Sequence, residues 1–127
     1  MNLKFYKCNV CGNIVCKVED SGMSMTCCGK QMVELKPGST DGAVEKHVPI
    51  YEIIDNRVFI QVGKEEHPME DYHYIEFIGI ETNRGFHIKY LKPGESPKGA
   101  FRLGDSEKLI SVFEYCNLHG MFKNDAE

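Results

Sequence analysis

No run of 18 consecutive apolar residues occurs in the 127-residue chain, so the sequence predicts no membrane-spanning helix. Residues 1–6 lack the apolar core of a signal peptide, and we therefore expect a cytoplasmic location. An excess of positive charge is absent: 15 Lys and Arg against 19 Asp and Glu give a formal net charge of −4, which argues against nucleic acid or an acidic membrane as a partner. The sequence has no internal repeat and no low-complexity tract, and its composition is that of an ordinary globular protein.

Six cysteines and five histidines stand out against this background. In a chain without a secretion signal, cysteines are more often thiolates kept reduced for metal binding than disulfides. Residues 1–36 are rich in cysteine and poor in periodic hydrophobicity, so this segment needs a cross-link such as a metal to stay folded. A cluster of turn-forming residues at 36–42 follows. We predict two domains, residues 1–36 and 37–127.

Beyond this boundary, short segments alternate at the two-residue period of β-strands. Two of them flank a turn at Asp55-Asn56 and predict a hairpin. The predicted strands span residues 48–54, 58–62, 73–81, 86–91, 100–103 and 109–115. Short strands with frequent turns and no long amphipathic helix favour a mainly β protein, whose second domain is an immunoglobulin-like antiparallel β-sandwich.

The first candidate metal site consists of four cysteines. Cys8 and Cys11 form a C-x-x-C pair, Cys27 and Cys28 are adjacent, and a glycine that permits a sharp turn follows each pair. Four such thiolates can close a tetrahedron around zinc or iron, and the spacing alone favours zinc. Because neighbouring Cα atoms lie only about 3.8 Å apart, the adjacent pair predicts some distortion of the tetrahedron. Cys16 fits a strand pattern and is interpreted as a small apolar side chain outside the site.

The second candidate site combines four histidines with one cysteine from three loop-like segments at the edges of predicted strands. A lone histidine is more often a satisfied surface or core residue than a ligand, but this group is too large to dismiss. Five ligands exceed the four of tetrahedral zinc, suit iron, and leave one position open for a substrate. His87, by contrast, alternates with apolar neighbours and is expected to face solvent. The candidate ligands are His47, His67, His73, Cys116 and His119.

Together these residues resemble the desulfoferrodoxins, the two-iron class of superoxide reductase, along essentially the whole chain. The resemblance implies two mononuclear irons: a desulforedoxin-like iron bound by four cysteines, and a second iron with four histidines in a plane and Cys116 axial. The residues that carry it are Cys8, Cys11, Cys27, Cys28, the segments 45–49 and 67–70, His73, and the segment 116–120.

The resemblance also implies a function, the reduction of superoxide to hydrogen peroxide at the second iron. Rubredoxin or a similar protein is the expected electron donor, and a homodimer is expected. Lys46 matches the family's lysine that attracts the anion and organises the water that donates a proton. Glu45 matches the residue thought to occupy the sixth position of the oxidised iron.

Two other interpretations remain open at this point. The chain could be a pure electron carrier in which both irons cycle, or a zinc ribbon fused to an immunoglobulin-like sandwich in which the histidines hold a structural zinc. The residues also leave open whether the four-cysteine iron relays electrons or only holds its domain and the dimer together.

Overall fold

The structure, a computed structural model, describes residues 1–40 and 42–127. These residues divide into two units. The smaller unit is Asn2–Lys36, and the larger is Pro37–Glu127 together with Met1. The prediction of a mainly β chain is confirmed in both units.

Very short strands make up the smaller unit. β1 (Phe5–Lys7) is the centre of a three-stranded antiparallel sheet, and a separate two-stranded hairpin lies in the chain between the second and third strands of that sheet. The buried apolar side chains are Phe5, Cys8 and Met32. Burying each stabilises the fold by about 1.5–3 kcal/mol, whereas ordering each backbone residue costs about 1–2 kcal/mol, so this unit needs a cross-link. The remaining strands are β2 (Ile14–Cys16), β3 (Thr26–Cys27), β4 (Lys30–Gln31) and β5 (Val33–Glu34).

The larger unit is built from two antiparallel sheets. Its described elements are α1 (Val44–His47), β6 (Pro49–Ile54), β7 (Arg57–Val62), β8 (Ile75–Thr82), β9 (Gly85–Tyr90), β10 (Lys98–Arg102), β11 (Leu109–Cys116) and β12 (Gly120–Asp125). One sheet has the order β10-β7-β6, and the other has the order β12-β11-β8-β9.

The hydrophobic core lies between these two sheets. One cluster joins Val58 of β7 to Ile80 of β8, and a second joins Val62 to Ile78 and includes Cys116. Cys116 is completely buried at the end of β11. The packed core therefore fixes the position of a candidate metal ligand.

The predicted hairpin is confirmed as β6 and β7. Asp55 and Asn56 join them with φ angles of 50° and 62°, the left-handed conformation that suits the twist of a two-residue hairpin turn. The other predicted strands are also present, with shifted ends. One correction concerns β8, which begins at Ile75 and not at His73. The backbones of Glu70 and His73 are hydrogen-bonded to each other in a turn, so His73 lies outside the strand.

The prediction also missed β12 and α1. Met121 and Phe122 of β12 are adjacent and both buried, so this strand lacks the alternation by which it could be found. The helix α1 is only four residues long and shows no helical period. No helix in the described part of the chain is long and apolar enough to cross a membrane.

Candidate metal centres

The first pair of cysteines lies on a tight backbone turn. The Gly12 N–H donates to the Cys8 carbonyl oxygen at 2.9 Å, and the Cys11 N–H points at the Cys8 sulfur at 3.5 Å. Gly12 has a φ of 84°, a conformation that glycine adopts at little cost. The turn therefore brings both sulfurs to the same side of the chain.

The second pair is built differently, at the tip of the β3–β4 hairpin. Cys27 ends β3, and Cys28 and Gly29 form the two-residue loop with φ angles of 54° and 72°. A left-handed conformation costs a residue other than glycine roughly 1–2 kcal/mol. A strained backbone at Cys28 therefore accommodates the adjacent cysteines, and the expected distortion of the tetrahedron stays a prediction.

The four sulfurs meet in one place. The Sγ atoms of Cys8, Cys11, Cys27 and Cys28 all lie within 4.8 Å of one another. The Cys11 and Cys27 sulfurs are 3.7 Å apart, and the Cys27 and Cys28 sulfurs are 4.0 Å apart. Cys8 is buried, while Cys11 and Cys28 are exposed.

The acidities of these thiols differ because of their neighbours. Backbone N–H groups of Cys11 and Val10 donate to the Cys8 sulfur and lower the pKa of Cys8 to about 6. Contacts with the sulfurs of Cys11 and Cys8 raise the pKa of Cys28 to about 12. The Cys8 thiolate therefore forms readily, and ionisation of Cys27 and Cys28 is suppressed. A metal cation at the centre would remove this conflict, and the four sulfurs fit one.

The second group of ligands gathers at one end of the sandwich. His47 ends α1, His67 follows β7, and His73 precedes β8. Cys116 ends β11 and pairs with Ile75 at the start of β8, while His119 lies in the turn before β12. Neighbouring strand ends thus collect residues that are far apart along the chain.

The geometry of this group is close. The ligand atoms of His47, His67, His73 and Cys116 all lie within 4.8 Å of one another. The His47 Nε2 atom lies 3.2 Å from the His67 Nε2 atom and 3.1 Å from the Nδ1 atom of His119. The Cys116 sulfur lies 4.0 Å from that Nδ1 atom. The structure therefore brings all five predicted ligands together.

Two backbone carbonyls orient the rings. The Nδ1 atom of His47 lies 2.8 Å from the Ala43 carbonyl oxygen, and the Nδ1 atom of His67 lies 2.7 Å from the Pro68 carbonyl oxygen. Each Nδ1 must carry the proton to donate to a carbonyl, so each Nε2 presents a lone pair. Two lone pairs that face each other across 3.2 Å repel unless a cation lies beside them. The residue types of Ala43 and Pro68 gave no signal of this role, since the backbone performs it.

His73 supplies a further sign of fit. Its Nε2 atom is buried and has no hydrogen-bond partner among residues 1–40 and 42–127. A buried polar atom without a partner is costly, and such atoms in proteins commonly serve a ligand or ion. The donor set, neutral nitrogens with one soft sulfur, suits iron.

Burial also sets the charge state of the ligands. It lowers the pKa of His67 to about 4 and, as the main cause, lowers the pKa of His47. Burial likewise lowers the pKa of His73, with smaller contributions from His119 and Lys46. Burial raises the pKa of the Cys116 thiol, against the opposing effect of backbone N–H groups of His119 and Leu118. The imidazoles of His47, His67 and His73 are therefore neutral near pH 7, and the Cys116 thiolate needs a cation.

Glu45 and Lys46 are exposed residues of α1, next to the ligand His47. The Glu45 carbonyl oxygen accepts a hydrogen bond from the Glu65 N–H at 2.9 Å, which holds the helix against the loop that follows β7. The positive charge of Lys46 contributes to the lowered pKa of His73. Lys46 therefore lies close enough to act electrostatically on the cluster.

Two residues set aside in the sequence lie outside both groups. His87 is on β9, has a side chain that is 42% exposed, and contacts the Glu107 carboxylate at 3.3 Å. It faces outward as predicted, although it is paired. Cys16 ends β2 at intermediate exposure and is not one of the four grouped cysteines.

Comparison with known proteins identifies the family. The family model described as "Desulfoferrodoxin" matches residues 39–125, and the model described as "Desulfoferrodoxin, N-terminal domain" matches residues 2–35. The chain belongs to the desulfoferrodoxin family. It therefore carries the two iron sites of that family, which correspond to its four-cysteine group and its histidine–cysteine group.

Individual desulfoferrodoxins and solved structures extend this match. The chain is 42% identical over 123 residues to the desulfoferrodoxin of Nitratidesulfovibrio vulgaris, covering 97% of this chain and 96% of that one. It is 41% identical over 122 residues to the desulfoferrodoxin homolog of Archaeoglobus fulgidus, covering 96% of each. The superoxide reductase of Treponema pallidum matches with a TM-score of 0.82 and 28% identity over 98% of this chain and 100% of that one. The superoxide reductase of Giardia intestinalis matches with a TM-score of 0.56 and 35% identity over 65% and 98%.

Proposed function

We propose that the larger unit reduces superoxide to hydrogen peroxide at an iron held by its histidine–cysteine cluster. The observation that carries this proposal is the convergence of bare imidazole nitrogens, 3.1 and 3.2 Å apart, beside a buried cysteine sulfur. The similarity to superoxide reductases of Treponema pallidum and Giardia intestinalis supports the choice of substrate.

The proposed ligands divide the work of holding the metal. When bound, ferrous iron supplies one electron and an open coordination position for a small anion. Burial keeps the imidazoles of His47 and His67 neutral, so their lone pairs stay available near pH 7. The backbone carbonyls of Ala43 and Pro68 prevent two of the rings from rotating away. The ligands are His47, His67, His73, His119 and Cys116.

Lys46 is the proposed attractor of the substrate. Superoxide is an anion, and the chain as a whole carries a net charge of −4, so attraction must be local. An exposed ammonium acts over about a Debye length, roughly 8–10 Å at physiological salt. The influence of Lys46 on His73 supports a position within this range.

The reaction takes up one electron and two protons for each superoxide and yields one hydrogen peroxide. The Lys46 ammonium group, or a water molecule that it orders, is the proposed proton donor, and solvent can restore its proton because the side chain is exposed. Glu45, the neighbouring carboxylate, is the residue that would add a ligand to the iron when it is oxidised. Both roles are carried over from the family onto these two positions.

The four-cysteine site is the proposed contact for the external electron donor. Cys11 and Cys28 are exposed, so an electron donor can approach their sulfurs closely. We propose a rubredoxin-type donor, a homodimeric assembly and a cytoplasmic location.

The direct test mixes anaerobically reduced protein with superoxide and measures both products. The proposal predicts one hydrogen peroxide for each superoxide consumed and no oxygen release. Oxygen release at half the superoxide consumed would identify a dismutase and contradict it. A pure electron carrier would show no fast conversion to peroxide. A zinc-stapled binding module would be colourless and free of iron after expression with iron available.

The role of Lys46 has a test of its own. Lys46→Ala should slow the second-order reaction with superoxide and flatten its dependence on salt, because the local attraction is lost. Lys108→Ala removes the same charge at the far end of β8 and serves as the control. Equal rates and equal salt slopes in the two variants would exclude the attracting role.

A further inference from the structure

Asn117 lies between two proposed ligands, Cys116 and His119, and its hydrogen bonds reach the backbone on both sides of a third, His73. Its Oδ1 atom accepts from the Tyr74 N–H at 2.9 Å, and its Nδ2 atom donates to the Tyr72 carbonyl oxygen at 3.1 Å. Its own backbone N–H donates to the Tyr74 carbonyl oxygen at 3.2 Å. From this geometry we propose that Asn117 is a positioning residue that sets His73 relative to Cys116 and His119.

The sheet does not hold these segments together at this point. The β11–β8 ladder has an irregular register between Tyr115 and Cys116, and its last pair is Cys116 with Ile75. His73 lies two residues before that pair, outside the strand. The Asn117 side chain thus takes over where regular strand pairing ends.

The other ligand rings are held in a different way. Backbone carbonyls at Ala43 and Pro68 hold the Nδ1 atoms of His47 and His67 directly. For His73, the described hydrogen bonds hold the backbone, through Glu70 on one side and Asn117 on the other. The position of the His73 ring therefore depends on the backbone at residues 72–74.

A primary amide is the group that this position needs, because it must accept from an N–H and donate to a carbonyl at once. Aspartate at 117 would keep the acceptor and place an oxygen against the Tyr72 carbonyl. Alanine would lose both side-chain bonds. Asn117→Asp therefore removes one of the two side-chain hydrogen bonds, and Asn117→Ala removes both.

The chain offers a matched control at the opposite end of β8. Asn83 makes the same pair of bonds with one residue: its Oδ1 atom accepts from the Lys108 N–H at 2.8 Å, and its backbone N–H donates to the Lys108 carbonyl oxygen at 3.0 Å. Asn83→Ala therefore removes one side-chain hydrogen bond to a backbone N–H, the bond that Asn117 makes with Tyr74, at a place far from the proposed ligands. It measures what such a loss does to the fold alone.

The experiment compares holoprotein with Asn117→Ala, Asn117→Asp and Asn83→Ala. It records the thiolate-to-iron absorption of the oxidised histidine–cysteine site and the rate at which a chelator removes its iron. We expect a displaced absorption band and iron loss at least about 10-fold faster in both Asn117 variants, as is typical when a residue that orients metal ligands is lost. Asn83→Ala should lower the unfolding temperature and leave band and iron loss unchanged.

An unchanged band and unchanged iron loss in the Asn117 variants would overturn the proposal, whatever their unfolding temperatures. If Asn117→Ala does not fold, Asn117→Asp is judged by the same two measurements. The inference rests on the proposed iron site but not on the substrate. Wild-type protein that shows the band but does not react with superoxide would refute the proposed function and leave this test intact.

Discussion

The two metal centres of this chain are built in opposite ways. The four-cysteine centre uses residues 8–28, and two tight turns supply all its ligands. The histidine–cysteine centre draws on residues 47–119, and its ligands meet because the strands that they flank lie side by side. The four-cysteine centre can be found from the spacing of its ligands in the sequence. No single spacing links all the ligands of the histidine–cysteine centre, and its geometry depends on the core of the sandwich.

We therefore expect the fold of the smaller unit to depend on its metal, and the metal site of the larger unit to depend on its fold. The smaller unit buries few apolar side chains, so its metal makes its structure possible. The larger unit has two buried clusters between its sheets, so its structure makes the metal site possible. Four substitutions follow, from the largest expected effect to the smallest. The first two test this contrast, and the last two test the packing and acid stability of the larger unit.

Cys8→Ala should unfold the smaller unit while the larger one stays folded. The substitution removes the buried sulfur of the centre, and metal binding in small metal-stapled domains supplies on the order of 10 kcal/mol. Hydrogen exchange read segment by segment should show loss of protection in β1 and retained protection in β8. Cys16→Ala, outside the centre, is the control. Persistent protection in β1 of the Cys8 variant would show that the unit folds without its metal.

His67→Ala should do the reverse and remove a metal from a unit that stays folded. The side chain is buried but belongs to neither core cluster, so the sheets should persist without it. Metal analysis should find one iron fewer per chain, with an unchanged far-ultraviolet circular dichroism spectrum. His87→Ala removes a histidine that lies outside the cluster and should keep the full iron content. Collapse of the sandwich in the His67 variant would contradict the contrast.

Gly63→Ala tests whether the backbone at Gly63 must lie close to the carbonyl oxygens of Lys46 and Glu65. Gly63 has a φ of 82°, and an added Cβ would lie 2.3 Å from the Glu65 carbonyl oxygen and 2.5 Å from that of Lys46. Gly94 has a φ of 89° with nothing within 4 Å, so Gly94→Ala reports the cost of the conformation alone. Gly63→Ala should be less stable than Gly94→Ala by about 1–3 kcal/mol in urea unfolding, the usual cost of overpacking. Equal losses would mean that the loop relaxes freely.

Glu107→Gln should have the smallest effect, confined to acid stability at the end of β8 away from the ligands. Contacts with the Thr82 hydroxyl and the Gly104 N–H hold the pKa of Glu107 below its ordinary value of 4.5. A lowered folded pKa stabilises the fold above the unfolded pKa, and this stabilisation is lost as the pH falls through the folded pKa. The difference in unfolding temperature between wild type and Glu107→Gln should thus shrink as the pH falls from about 6 to below 4. A difference in unfolding temperature that does not change with pH would refute this role of Glu107. Asp105→Asn is the control.

Much of this architecture was predictable from the sequence because its signals are local. The alternation in residues 48–62 with a turn at Asp55 predicted a hairpin that is present. The four cysteines predicted a metal site, and their sulfurs meet in one place. The gathering of the histidines could be predicted only as a group, since no spacing links His47 to His119.

The features that were missed depend on tertiary structure. Strand β12 escaped detection because Met121 and Phe122 are both buried. The orienting carbonyls of Ala43 and Pro68 cannot be read from a residue type, since every residue has one. The role that we propose for Asn117 depends on which strand lies beside it, and a sequence motif alone does not contain that information.

We propose that the histidine–cysteine centre reduces superoxide and that the four-cysteine centre does not. The most direct measurement follows the absorption of each iron while fully reduced protein is mixed with superoxide, in wild type and in His67→Ala. We predict rapid oxidation of the histidine–cysteine iron in wild type, with one hydrogen peroxide formed per superoxide. In His67→Ala, the four-cysteine iron should stay reduced on the same timescale. Equally fast oxidation of the four-cysteine iron in that variant would contradict the claim.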